Sequence, residues 1–274
     1  MNDPLYSMKR EMLRRRMSNK TVKTYLFYVK KFLLKNKDVP IKKLSKKQVR
    51  DYLYYLQDRG VSGSTMNVAH NALRFFMIEI LHKGMYLKIK FSKVPKKKVD
   101  CLTRDEVMRL IDSISNAKHR LLVSLMYGAG LRVSEVVKLK KEHLDFEQVI
   151  GWVIEGKGKK DRPFIIPLCL KAELETLCTT NSTYLFKGRG GTHLCVRSVQ
   201  QIIEKAGKKA LKTKVHPHML RHSFTTHLLE RGEDITRVQQ LLGHAHPRTT
   251  LGYAHYAKAK LLTTRSPLDE IVQQ

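Results

Sequence analysis

Apolar side chains in the first hundred residues recur with the period of a helix. Between Asn19 and Lys35, Val22, Tyr25, Leu26, Val29, Phe32 and Leu33 fall on one stripe, and Lys20, Lys23, Lys30 and Lys31 lie opposite. Ser45 with Gln48 predicts a capping box. It opens a helix whose stripe is Val49, Leu53 and Leu56 and which Gly60 ends. A further helix is predicted from about Ser64 to His82, with Ala69, Ala72, Leu73, Phe76 and Ile80 inward. The pattern then breaks. Residues 88–99, Lys-Ile-Lys-Phe-Ser-Lys-Val-Pro-Lys-Lys-Lys-Val, predict an extended, positively charged linker, equally readable as a solvated surface loop.

Beyond the linker the periodicity is mixed. Thr103 with Glu106 predicts a second capping box, followed by Val107, Leu110, Ile111 and Ile114 on one face. Helices are expected near residues 104–115, 118–128, 169–178, 196–207, 217–230 and 234–242, with Pro217 at a first helical position and Gly232 and Gly243 at helix ends. Gln148–Glu155 and Arg162–Pro167 are β-prone, joined by Gly156-Lys157-Gly158-Lys159-Lys160-Asp161 as a hairpin with a basic tip. The expected fold is mainly α. A helical bundle occupies residues 1–90, a basic linker 91–101, and an α+β domain of helices with a small sheet 102–274.

Charge narrows the range of partners. The 274 residues carry 53 Lys and Arg against 24 Asp and Glu, a formal net charge of +29. Residues 1–100 hold 25 basic and 7 acidic side chains and the remainder 28 and 17, so both halves are basic and the first more densely. Such self-repulsion implies a polyanionic partner, nucleic acid before anionic membrane. A lysine-rich composition set by genome bias or a hot habitat is the alternative. With 42% hydrophobic and 28% charged residues the composition is that of a folded, soluble chain. Apolar stretches such as Leu121–Leu125 fall far short of the ~20 residues that cross a bilayer. Met1-Asn2-Asp3-Pro4 lacks the layout of a secretion signal. Cys101, Cys169, Cys178 and Cys195 have no zinc-ribbon spacing and read as reduced thiols of a cytoplasmic protein.

Two familiar motifs fail on their own chemistry. Gly151-x4-Gly156-Lys157 approaches a phosphate-binding Walker loop, but Gly158 stands where a magnesium-binding Ser or Thr belongs, and the residues between suit a strand. His218 and His222 have the spacing of metal ligands on a helix, yet Met219 replaces the glutamate a zincin needs and no third ligand follows. Neither a metal nor a cofactor is expected.

A different constellation remains. Arg132 follows Gly130-Leu131 at the edge of a helix, and Lys157 sits on the hairpin tip. His218 and Arg221 lie one turn apart, His244 follows Leu241-Leu242-Gly243, and Tyr253 lies nine residues further on. Two arginines offer planar forks for the oxygens of one phosphate. Histidines can donate to the same oxygens or move a proton. A lysine on a mobile tip can protonate a leaving alkoxide, and an activated tyrosine can attack phosphorus.

These residues, in this order, resemble the tyrosine recombinase family, in particular its short Xer-type members of bacteria and archaea. The resemblance covers most of the chain. Arg132 matches the first family arginine, Lys157 the hairpin lysine, His218 and Arg221 the His-x-x-Arg pair, His244 the Leu-Gly-His histidine and Tyr253 the nucleophile. It implies a SAM-like, core-DNA-binding N-terminal bundle, a linker and a catalytic domain, suited to clamping DNA. It further implies that Tyr253 attacks a scissile phosphate to leave a 3′-phosphotyrosyl bond and a free 5′-hydroxyl. Arg132, Arg221 and His244 would stabilise the phosphorane, Lys157 protonate the 5′-oxygen, and His218 assist proton transfer at the tyrosine. Bond energy stays in the phosphotyrosine, so neither ATP nor metal is required. The family acts as a homotetramer on two duplexes at a specific site and passes through a Holliday junction. With the helical bundle starting inside the first twenty residues, resolution of chromosome or plasmid dimers is the expected role.

Several alternatives stay open. Arg132 could merely bridge to Glu135, Lys159 or Lys160 could replace Lys157, and Tyr256 is the rival nucleophile. His222 reads as a structural neighbour. Leu268, Ile271 and Val272 form a short apolar stripe that could dock on this chain or on a neighbouring subunit. Integration or transposition of a mobile element competes with dimer resolution. A topoisomerase of type IB would share the chemistry, and a non-catalytic DNA-binding protein would need only the charge.

Overall fold

The computed structural model describes residues 3–83, 90–93, 100–154 and 161–243. The chain divides into two compact units, Met1–Lys97 and Lys98–Gln274.

All regular secondary structure among the described residues of the first unit is helical. Helix α1 (Pro4–Arg14) starts with proline at its first turn, and the Asp3 carboxylate accepts from the Leu5 N–H at 3.0 Å. Helix α2 (Asn19–Lys35) is capped by Ser18, α3 (Lys46–Asp58) by the Ser45–Gln48 box, and α4 (Gly63–Phe75) by Ser62. These serines satisfy N–H groups that a helix start leaves without partners. The sequence places α2 and α3 correctly. It did not delimit α1, and it carries the last helix through to His82 as a regular α-helix. Instead α4 gives way at Phe75 to one π-helical turn, Phe76–Ile80. That turn holds the consecutive residues Phe76 and Met77 both fully in the core, which a regular stripe would not place side by side. They pack with Met8, Val29, Phe32, Tyr52 and Leu73. Of the expected linker, residues 90–93 return to α4. Asn67 donates to the Ser92 carbonyl at 3.0 Å and accepts from its N–H at 2.8 Å, while Phe91 lies against the buried His70.

The second unit builds its core from helices α5 (Arg104–Asp112), α6 (Ala117–Gly128), α7 (Val133–Val137), α8 (Lys171–Cys178), α9 (Val196–Leu211) and α10 (Pro217–Glu230). Leu110, Leu122, Met126, Val136, Ile203 and Leu220 are central to it. The Thr103–Glu106 capping box is formed. Helix α8 begins later than the sequence suggests, because Leu168–Leu170 first makes a 3₁₀ turn. The five-residue α7 and the strand β1 (Leu144–Asp145) are too short to show a period.

Strands β2 (Ile150–Val153) and β3 (Arg162–Ile165) complete an antiparallel sheet in the order β1-β2-β3, with Gly151 opposite Phe164. Gly151 thus belongs to a strand, as the failed Walker pattern requires. Helix α11 (Ile235–Leu242) packs Val238 and Leu242 with Leu229 in a smaller cluster. All four cysteines are free thiols. No described helix is long and apolar enough to cross a membrane.

Candidate active site

The site grows from the turn after α6. Gly130 adopts a left-handed φ of +60°, and a Cβ there would lie 2.5 Å from the Phe224 ring, so only glycine fits. The turn delivers Arg132 in extended conformation to the N-cap of α7. Glu135, three residues on, reaches back and accepts from the Arg132 N–H at 2.9 Å through Oε2. Its Oε1 accepts from Arg132 Nη1 at 2.6 Å. The Arg132–Glu135 bridge therefore exists, and it leaves the arginine's fork defined: the Glu135 side chain is 5% exposed and that of Arg132 18%. An arginine held at one corner and still open at its edge is oriented for an outside anion.

Two further arginines converge on the same carboxylate. The alternation of β3 turns Arg162 and Phe164 inward and Pro163 and Ile165 outward. Arg162 Nη2 donates to Glu135 Oε2 at 2.7 Å, and its Nη1 donates to the Leu241 carbonyl in the last turn of α11. Its Nε–H is buried without a partner among the described residues. Arg221, on the first turns of α10, is buried too. Its Nη1 donates to the Gly130 carbonyl at 2.6 Å and its Nη2 to the Leu242 carbonyl at 2.5 Å, with Nη1 3.9 Å from Glu135 Oε2. Helix α10 is held in place by Ser223, which accepts from the Leu102 N–H at 2.8 Å and donates to the Met219 carbonyl at 2.9 Å.

The electrostatics follow from burial. Desolvation alone would raise the Glu135 pKa. The nearby charge of Arg162 foremost, then the backbone N–H and guanidinium of Arg132, outweigh it and hold the carboxyl below its ordinary range. Burial pushes Arg162 down from its ordinary value, opposed by Glu135. Three guanidinium charges facing one carboxylate leave a local surplus of positive charge, which suits a phosphate.

His218 lies on the exposed side of α10, one turn before Arg221. Its ring centroid is 6.2 Å from that of the half-buried His222. Burial first, then the charges of His218, His216 and Arg221, push His222 down to about 4, so it is neutral at neutral pH. No group of three or more His, Cys, Asp or Glu among the described residues is placed to hold a metal ion.

Three of the six candidate residues, Arg132, His218 and Arg221, thus lie in the described structure, and a buried carboxylate gathers the two arginines. Lys157, His244 and Tyr253 lie outside the described residues, as do Lys159, Lys160, Tyr256, Leu268, Ile271 and Val272. The flanks of two of them are defined: β3 begins just after the tip that carries Lys157, and α11 ends at Gly243, directly before His244 in the chain. Sequence reasoning missed Arg162 and gave Glu135 no role beyond a possible bridge. The signal for Arg162 was present, since period-two alternation puts it on the face of Phe164. An inward arginine in an apolar strand requires a buried acceptor.

Comparison with known proteins agrees in both units. Residues 100–260 match the phage integrase family, and residues 5–85 match the phage integrase N-terminal SAM-like domain. The chain is 37% identical over 263 residues to tyrosine recombinase XerA of Pyrococcus horikoshii, covering 90% of each chain. It is 34% identical over 215 residues to tyrosine recombinase XerC of Salmonella typhi, covering 72% of this chain and 71% of that one. Among solved structures it is similar to a crystal structure of XerA recombinase, with a TM-score of 0.55 and 29% identity over 97% of this chain and 99% of that one. The fold also matches that of XerH site-specific recombinase bound to palindromic difH substrate, with a TM-score of 0.75 at 24% identity, covering 90% of this chain and 79% of that one.

Proposed function

Since this chain belongs to the phage integrase family and is a Xer-type tyrosine recombinase, we propose that Arg132, Lys157, His218, Arg221, His244 and Tyr253 are its catalytic residues. The enzyme carries out site-specific DNA recombination, and each of these side chains has a part in that chemistry. The observation that carries the assignment is the convergence of Arg132 and Arg221, from separate helices, around the buried carboxylate of Glu135. Tyr253 attacks the scissile phosphorus, a P–O bond to the tyrosine forms, and the P–O bond to the 5′-oxygen breaks. Arg132 presents its open edge to a non-bridging oxygen, and Arg221, its plane fixed by two backbone carbonyls, meets the charge that develops. Lys157 gives a proton to the departing 5′-oxygen, His218 helps remove the tyrosine proton, and His244 completes the set of donors. Rejoining is the reverse attack by a 5′-hydroxyl.

The N-terminal unit binds the core of the site through its lysine-rich faces. Four copies act on two duplexes through a Holliday junction, in the cytoplasm, and the role is resolution of chromosome or plasmid dimers. The kinship to XerA and XerC supports that role over mobile-element integration. The test uses nicked suicide duplexes from the dimer-resolution region and from the gene's own flanks. An SDS-resistant protein–DNA adduct, confined to particular duplexes and abolished by Tyr253→Phe, is the expected result. Adducts that persist in Tyr253→Phe would move the nucleophile to another residue, Tyr256 first.

A further inference from the structure

We infer that Arg162, which lies outside the proposed catalytic set, is a positioning residue that holds the end of α11 against the Glu135 carboxylate and so fixes the carboxylate that orients Arg132. The inference rests on the chain's acting as a recombinase through the proposed catalytic set.

The end of α11 has an electrostatic need that Arg162 meets. A helix terminates with carbonyls lacking intrahelical partners and with the negative end of its dipole, both best met by a cation. The last turn of α11 carries no basic side chain of its own. Its Leu241 carbonyl instead accepts from Arg162 and its Leu242 carbonyl from Arg221. The two arginines come from β3 and α10, so the helix end is fixed by side chains from two other elements.

Steric fit points the same way. Gly243 ends α11 in a left-handed conformation with φ +60°, and a Cβ there would lie 2.5 Å from Arg162 Cδ. The aliphatic stem of Arg162 therefore runs along the backbone at the point where the chain leaves the helix, one residue before His244. Its other edge is locked onto Glu135 Oε2 at 2.7 Å, the oxygen that also accepts from the Arg132 N–H. Arg162 is 6% exposed, with one guanidinium nitrogen on Glu135 and another on the Leu241 carbonyl, whereas Arg132 keeps an open edge. It acts through what it holds. A planar fork is needed because the carboxylate and the carbonyl are gripped by two separate nitrogens, and a lysine has a single nitrogen to offer.

The experiment is single-turnover cleavage of the duplex on which the unaltered chain forms adducts, with Arg162→Met and Arg162→Lys. A group that sets geometry changes the rate constant, whereas a group that only keeps the chain folded changes the amplitude. Misplacement by about an ångström can cost on the order of a hundredfold. Arg162→Met is expected to cleave roughly ten- to a hundredfold more slowly, with full amplitude and DNA affinity within about twofold. Arg162→Lys, keeping the charge but only one contact, should fall between it and the unaltered chain.

An unchanged rate constant in folded Arg162→Met would overturn the inference, and so would a loss confined to amplitude. Should Arg162→Met fail to fold, Arg162→Lys decides: an unaltered rate overturns the inference and a slower rate at full amplitude supports it. Failure of the unaltered chain to form any adduct would count against the recombinase chemistry itself, a separate result from any ranking of the Arg162 variants.

Discussion

The two units place their charges oppositely. In the first, Lys20, Lys23, Lys30, Lys31 and Lys35 are all exposed, and the core of Met8, Phe32, Tyr52 and Phe76 is apolar. In the second, Glu135, Arg162 and Arg221 are buried and joined into one network. An exposed charge acts through water, is screened by salt, and contributes in small separable increments. A buried network is screened little, and its members stand or fall together. The first unit is thus built as a surface whose pull on a polyanion is graded. The second is built as a frame in which one lost group displaces several others.

The sharpest way to break this contrast is to remove the charge at the centre of the frame. Glu135→Gln leaves three guanidinium groups facing a neutral amide. Breaking a buried charge pair costs about 3–5 kcal/mol, and the variant is expected to lose about that much stability in urea unfolding. Suicide-duplex cleavage should fall by more than about a hundredfold as the arginines lose their common anchor. The same carboxylate sets a pH dependence. Its folded pKa lies below its unfolded value, so it contributes stability above the ordinary carboxylate range, lost as pH falls through the depressed folded value. The stability difference between the unaltered chain and Glu135→Gln should therefore be constant at neutral pH and shrink only in acid. A difference that already vanished near pH 7 would mean the carboxylate is not held ionised by the arginines.

The same contrast explains what the sequence made legible. Helices of the first unit were readable because Val22, Val29 and Phe32 repeat with the helical period and Ser45 and Gln48 announce a start. The π-turn at Phe76–Ile80 was not, because nothing local distinguishes it from a further α-turn; packing of Phe76 and Met77 decides it. In the second unit Arg132, His218 and Arg221 were singled out through chemistry and family resemblance, and the two arginines meet at one carboxylate. Arg162 was not, because its partners are Glu135, 27 residues before it, and Leu241, 79 residues after it. Alternation along β3 shows only that Arg162 points inward, and contacts at that separation leave its partners unnamed in the sequence.

On the surface side of the contrast, Lys23→Ala with Lys30→Ala should leave the chain folded and weaken DNA binding in proportion to the phosphates lost. Each phosphate contact removed should reduce the slope of log affinity against log salt by about 0.9. The single-turnover cleavage rate at saturating protein should stay within about twofold. Glu135→Gln should show the converse, a lost cleavage rate with an unchanged slope. If the lysine pair abolished cleavage at saturation, the division between a graded surface and a cooperative frame would be wrong.

The smallest effect compares one motif in both units. Ser45 with Gln48 and Thr103 with Glu106 form the same capping box at the starts of α3 and α5. Replacing either cap by alanine removes an acceptor for an N-terminal N–H, at about 1 kcal/mol. The sole tryptophan, Trp152, lies in the second unit, so its fluorescence reports there while far-ultraviolet circular dichroism sees helices in both. Ser45→Ala should shift the dichroism transition and leave the Trp152 midpoint in place. Thr103→Ala should shift the Trp152 midpoint. The boxes also differ in charge, because the carboxylate of Glu106 meets the positive end of its helix and Gln48 carries none. Glu106→Gln should therefore cost a few tenths of a kcal/mol that added salt erases. A shift of the Trp152 midpoint by Ser45→Ala as large as that by Thr103→Ala would show that the two units unfold as one.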